Sequence, residues 1–150
     1  MKDLSPDKIL AVLKAARENS TRDWCLLLLC FRHAMRSSEV CKLKITDISL
    51  TDGTIRIERT KGSFFQTLDA NKTEPVLDEF IALQAWLKER REDGSAILFP
   101  SQKGGAMSRK QLLRNFKKYV VAVGLPEDCR SLTFCTIQFA ALWPNRFSIV

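Results

Sequence analysis

The sequence predicts an α+β fold, mainly helical, with one small antiparallel sheet. Three observations carry that expectation. Apolar residues recur at helical spacing in several separate stretches, a period-two alternation appears in one region between two turn signals, and capping residues stand where the helical stretches begin.

In chain order, Ser5-Pro6 opens the first helix, with a capping hydroxyl followed by proline at the first helical position. Ile9, Leu10, Val12, Leu13 and Ala16 form its apolar face. Asn19-Ser20-Thr21 interrupts it, and Ser20 or Thr21 can cap the next helix. There Trp24, Leu26 to Leu29 and Phe31 leave almost no polar face, which predicts the central core helix.

Ala34 to Leu43 comes next and sets Arg36, two serines and Glu39 between apolar segments. Ser37 or Ser38 can cap a short helix, and Glu39 suits that helix's positive N-terminal dipole. Arg36 then lies at a helix–helix junction, where a guanidinium can be aimed at a planar anion. Two readings stand at this point: a buried structural arginine paired with Glu39, or a phosphate clamp.

The period then changes. Thr51-Asp52-Gly53-Thr54 is a turn, and Ile55-Arg56-Ile57-Glu58 alternates like a half-buried strand. Thr60-Lys61-Gly62-Ser63 is a second turn and Phe64 to Leu68 the returning strand, which puts Lys61 at a hairpin tip. Val76 to Glu92 is helical, with Phe80, Leu83 and Leu87 on one face and Trp86 beside it, and Gly94 ends it. Ile97-Leu98-Phe99-Pro100 is a short buried segment and Lys103-Gly104-Gly105 a turn. Ser108-x-x-Gln111 is a capping box that starts a helix to about Val123.

Charge gives the first functional pointer. With 24 Lys+Arg against 17 Asp+Glu, the net charge of +7 suggests a polyanionic partner. The excess is concentrated: residues 101–120 hold Lys103, Arg109, Lys110, Arg114, Lys117 and Lys118 and no acidic residue. Leu112, Leu113, Phe116 and Val120 face inward, so these cations line the outer face, where solvated helices usually mix signs. Cys25, Cys30, Cys41, Cys129 and Cys135 form no C-x-x-C pair, and one histidine, His33, is a poor start for a metal site. Reduced cysteines, no metal or cofactor, and a cytoplasmic location without a membrane span are therefore expected.

From Ser131 to Val150 the only charged residue is Arg146, while Phe134, Ile137, Phe139, Leu142, Trp143 and Phe147 crowd together. This reads as an atypical apolar tail, residues 131–150, following a domain of residues 1–130.

The domain resembles the catalytic domain of tyrosine recombinases, the phage-integrase family. The similar features are Arg22-Asp23-Trp24 leading into an apolar helix, then Met35-Arg36-Ser37-Ser38-Glu39-Val40 followed by Leu43 and Thr46-Asp47-Ile48. The Thr60-Lys61-Gly62 hairpin, Leu98-Phe99-Pro100, Gly104-Gly105-x-Met107-Ser108 and Gly124-Leu125-Pro126 follow in the family's order. The resemblance implies that Arg36 binds the scissile phosphate, that Lys61 reaches the cleavage site from the hairpin, and that Glu39 supports the arginine region. Those roles suit phosphoryl transfer through a covalent intermediate, which needs cations on the non-bridging oxygens and a proton donor for the leaving oxygen. His33, where a small or turn residue is usual, reads as structural.

The sequence also departs from the pattern. Where the family continues with His-x-x-Arg, this chain reads Thr133-Phe134-Cys135-Thr136, and no nucleophile tyrosine follows before Val150. Tyr119, the only tyrosine, lies in the basic helix and is not expected to be the nucleophile. The family's N-terminal arm-like domain is not matched either. The expectation is thus a DNA-binding, integrase-like domain from a truncated or frameshifted mobile-element gene, acting on double-stranded DNA and catalytically inactive alone. Two alternatives are a partner subunit to a full-length recombinase that supplies the nucleophile, and a module that self-associates or docks through the apolar tail.

Overall fold

The structure is a computed structural model that describes residues 6–59, 62–90 and 94–125. The apolar tail and the turn residues Thr60 and Lys61 lie outside these residues. Mainly helical with one small antiparallel sheet, the architecture matches the predicted class.

Helix α1 (Pro6–Asn19) starts at the predicted proline and buries Ile9, Val12, Leu13 and Ala16. Ser20 caps α2 (Thr21–Arg32) by accepting the Asp23 N–H. Every residue of α2 from Asp23 to Arg32 is buried, so it is the core helix the sequence predicted, and α1 and α4 (Glu79–Glu89) pack on it. The short helix α3 (Ser37–Cys41) follows, and β1 (Ile48–Ser49), β2 (Thr54–Arg59) and β3 (Gly62–Thr67) make an antiparallel sheet in that order. Ile55 and Ile57 of β2 face the core, as the alternation required. The third strand, β1, has no alternation to reveal it because it is only two residues long.

Two boundaries differ from expectation. The stretch predicted as one helix over 76–92 is a 3₁₀ turn (Pro75–Leu77) followed by α4, with Asp78 between them accepting the Ile81 N–H as the true cap. Proline favours a fresh start and aspartate a cap, and together they outweigh the continuous apolar period. α4 also ends at Glu89 rather than near Gly94; Arg90 is its C-cap, and its guanidinium donates to the Ser95 and Ile97 carbonyls. The predicted buried segment is anchored here too, since Trp86 Nε1 donates to the Leu98 carbonyl at 2.8 Å. Helix α5 (Arg109–Ala122) begins at Ser108, which accepts the Gln111 N–H.

At the end of α2 the core turns ionic. Arg32 and His33 are buried, as is Glu79 at the start of α4. His33 Nε2 stands 2.8 Å from Glu79 Oε1, and His33 Nδ1 lies 2.5 Å from Gln66 Oε1. Arg32 donates to Asp69 and lies 3.8 Å from Glu79, whose second oxygen accepts the Asp69 N–H at 2.8 Å. Burial alone would lower the His33 pKa, but the Glu79 charge and hydrogen bond, with Gln66, outweigh it and raise the value above 6.5. The network fastens α2, β3 and α4 together directly beneath the Arg36 turn. His33 is structural, as expected from its sequence position.

Candidate functional site

Beyond His33 the chain reverses sharply. His33 N–H bonds to the Leu29 carbonyl, Met35 N–H bonds to the Cys30 carbonyl, and the Cys30 thiol donates to the Met35 carbonyl. Ala34, between them, has φ 51°, the only left-handed non-glycine among the described residues. The left-handed residue of the turn is thus Ala34, one position after His33. Buried Met35 pins the turn, and the next residue, Arg36, projects outward, exposed.

Arg36, not a serine, is the N-cap residue of α3; Ser37 is already helical and buried. The cap is built by Glu39, whose Oε1 accepts the Arg36 N–H at 2.7 Å. Its other oxygen, Oε2, accepts from Arg59 Nε at 2.7 Å. The reading of Arg36 as a buried arginine paired with Glu39 is thus overturned: Arg36 is exposed, and the guanidinium paired with Glu39 is that of Arg59. The bonded backbone N–H fixes Arg36 at its root, and its side chain is exposed.

Arg36, Ser38, Glu39, Lys42, Glu58 and Arg59 line a cleft of about 320 Å³. Three cations face two carboxylates, and Glu39 has both oxygens engaged, so the cleft has positive charge to offer an anion. Sequence reasoning missed Arg59. Parity puts Arg59 on the same side of β2 as Ile55 and Ile57, but at the exposed end of the strand, and its partners are remote in sequence. Lys61 lies outside the described residues; the last described pair of the hairpin is Arg59 with Gly62.

The basic helix lies next to this cleft, since α3 packs on α5. Burial raises the Cys41 pKa, and the Arg109 charge pulls it the other way, which places the start of α5 beside the end of α3. Arg109, Lys110, Arg114, Lys117 and Lys118 are all exposed, as is Lys103 in the preceding turn. Leu112, Phe116, Tyr119 and Val120 are buried on the opposite face.

The phage integrase family model matches residues 2–135. The chain belongs to the phage integrase family. Type 1 fimbriae regulatory protein FimB of Escherichia coli (strain K12) is 39% identical over 114 residues, covering 72% of this chain and 54% of FimB. The type 1 fimbriae regulatory protein FimE of the same strain is 32% identical over 128 residues, 81% of this chain and 62% of FimE. The chain therefore spans little more than half the length of these relatives. Among solved structures, XerA recombinase superposes with a TM-score of 0.79 at 20% identity, over 97% of this chain and 52% of that one. The catalytic core of lambda integrase gives 0.68 at 20% identity, over 97% and 88%. At such identities the superpositions establish the fold, and the fold is that of a tyrosine-recombinase catalytic domain.

Within this integrase domain the single tyrosine faces inward. Tyr119 is 2% exposed, its hydroxyl donates to Asp23 Oδ2 at 2.5 Å, and Asn19 Nδ2 donates to that hydroxyl at 2.8 Å. Burial and the bond to Asp23 push its pKa up to about 12, the opposite of an activated nucleophile. Cys25, Cys30 and Cys41 are buried. Among the described residues, no three His, Cys, Asp or Glu gather as a metal site would need, and no helix is long and apolar enough to cross a membrane. Thr133 to Thr136, in the place of His-x-x-Arg, lie outside the described residues.

Proposed function

We propose that this integrase-family domain binds double-stranded DNA through the outward face of α5 and the adjoining Arg36 cleft, and that its own residues do not cut a strand. The observation that carries the reading is the sidedness of α5. Its exposed cations, Arg109, Lys110, Arg114, Lys117 and Lys118, stand without a single acidic neighbour in the helix, and Leu112, Phe116, Tyr119 and Val120 are buried behind them. A phosphate backbone is the polyanion such a face fits, with Arg36 as the guanidinium that meets a phosphate at the neighbouring turn. Lys103 extends the face from the preceding turn, and Lys61 would approach from the hairpin. The absence of cleavage follows from Tyr119, which is locked to Asp23 in the core, and from Thr133-Phe134-Cys135-Thr136 standing where a second arginine is usual.

The deciding experiment is binding to a fluorescent duplex across a salt series, wild type against Arg109→Ala/Arg114→Ala. Each phosphate contact contributes roughly −0.9 to the slope of log K against log salt, so the double variant should be shallower by about 1.8. No binding of the wild type at low salt would overturn the reading. A nicked suicide substrate checks the second half: no covalent protein–DNA adduct is expected from this chain alone.

A second reading has one observation in its favour. Lambda integrase, whose fold this domain shares, has been solved as a dimer on a core site and as a tetramer on a Holliday junction. This domain could then act beside a full-length recombinase that supplies the tyrosine, and adducts would appear only in that mixture.

A further inference from the structure

Arg59 joins the hairpin to the Arg36 turn and is held on three sides. Its Nε donates to Glu39 Oε2 at 2.7 Å, its Nη2 donates to the Ala34 carbonyl at 3.1 Å, and its guanidinium carbon stands 4.9 Å over the Phe64 ring of β3. Glu39 spends its other oxygen on the Arg36 N–H, so one carboxylate fixes the backbone of Arg36 and the head of Arg59 together. The second bond braces the left-handed residue that throws Arg36 outward. A planar guanidinium presents its donors in a fixed fork, so the two bonds hold Arg59 in one orientation, whereas an ammonium is a compact charge on a flexible stem.

We propose that Arg59 is a positioning residue. The Arg59–Glu39–Arg36 link ties the β2–β3 hairpin to the turn and sets the direction in which Arg36 meets a DNA phosphate. The inference rests on the DNA-binding reading above and deepens it by naming the side chain that holds the phosphate-binding arginine in place. An exposed arginine on an unbraced turn must be ordered at the moment of binding, and that ordering weakens affinity. Pre-set by Glu39 and Arg59, Arg36 meets the phosphate with less to lose.

The test is a double-mutant cycle on the full 150-residue chain, read by duplex binding and by hydrogen exchange of the Arg36 amide. Arg59→Ala should weaken binding roughly tenfold, as losing one charge-assisted contact would, but only while Arg36 is present. In an Arg36→Ala background it should change nothing. Glu39→Gln, which removes no cation, should reproduce the loss, and both variants should speed exchange at Arg36 by about tenfold or more. Additive losses would mean that Arg59 grips DNA in its own right and would overturn the proposal. So would Arg59→Ala and Glu39→Gln variants that bind like wild type while Arg36→Ala does not. If the wild type itself fails to bind, the DNA reading falls separately. Exchange at Arg36 then decides the link, and unchanged rates in both variants would refute it.

Discussion

Arg32 and Arg36 are four residues apart and have opposite fates. Arg32 is fully buried, its charge matched by Asp69 and Glu79 in a network that also holds His33. Arg36 is exposed, its backbone held by Glu39 and its guanidinium left to the cleft. Between them the chain makes one left-handed turn at Ala34, and that turn converts an inward arginine into an outward one. The contrast separates two uses of the same side chain. Where the charge is satisfied internally, the arginine fastens elements; where its root is held and its side chain exposed, it is available to a ligand. The buried set should therefore govern stability, and the exposed set affinity.

The most forceful way to test that division is Glu79→Ala. It leaves Arg32 and His33 buried beside an empty position, and breaking a buried pair by removing one partner costs about 3–5 kcal/mol. Denaturant unfolding should show that loss, while the fraction still folded at low temperature should bind duplex DNA with the wild-type salt slope. A slope that falls with the stability would mean the two regions are not separable.

A gentler break of the same network is pH. Both ring nitrogens of His33 face acceptor oxygens, Glu79 on one side and Gln66 on the other, and its pKa in the folded state is raised. A raised folded value means that the protonated ring stabilises the fold. That contribution is fully present below the unfolded pKa of about 6.5 and is lost as pH rises through the higher folded value. The groups around the ring are Glu79 from α4, Gln66 from β3 and the neighbouring Arg32, of which only Arg32 opposes the proton. Unfolding free energy should thus decline on the alkaline side of about pH 6.5, and His33→Gln should flatten that decline. An equal decline in the variant would show that another group titrates.

The sequence made the helices, the central place of α2 and the sidedness of α5 legible because each rests on a repeated local pattern. Trp24, Leu26 to Leu29 and Phe31 left α2 no polar face, and Leu112, Phe116 and Val120 fixed which side of α5 the lysines must take. The charged core was not legible. Glu79 sits beside Phe80 in an ordinary amphipathic pattern, and only the meeting of α2, β3 and α4 shows that Arg32 and His33 need it. Arg59 was missed for the same reason: its partners, Glu39 and the Ala34 carbonyl, lie 20 and 25 residues away along the chain. Arg36 and Glu39 were singled out by resemblance and local spacing, with two readings left open, a buried pair or an arginine supported by Glu39. The contact itself, a cap from side chain to backbone, needed the structure.

The smallest effect concerns the turn between the two arginines. A left-handed alanine costs roughly 1–2 kcal/mol against the right-handed region, and glycine removes that cost while giving back about 0.5–1 kcal/mol through its freer unfolded chain. Ala34→Gly should accordingly stabilise the domain by about 0.5–1 kcal/mol, a rise in Tm of roughly 2–4 °C at most for a chain this long. The accompanying change at the cleft should run the other way. Glycine relaxes the strain but also widens the conformations open to the turn, so Arg36 would rely more heavily on Arg59 and Glu39 for its direction. Combining Ala34→Gly with Arg59→Ala should then leave a domain as stable as wild type or more so that binds DNA less well than Arg59→Ala alone. If the pair binds no worse than Arg59→Ala, the stiffness of the turn contributes nothing to affinity, and the division between the two arginines rests on burial alone.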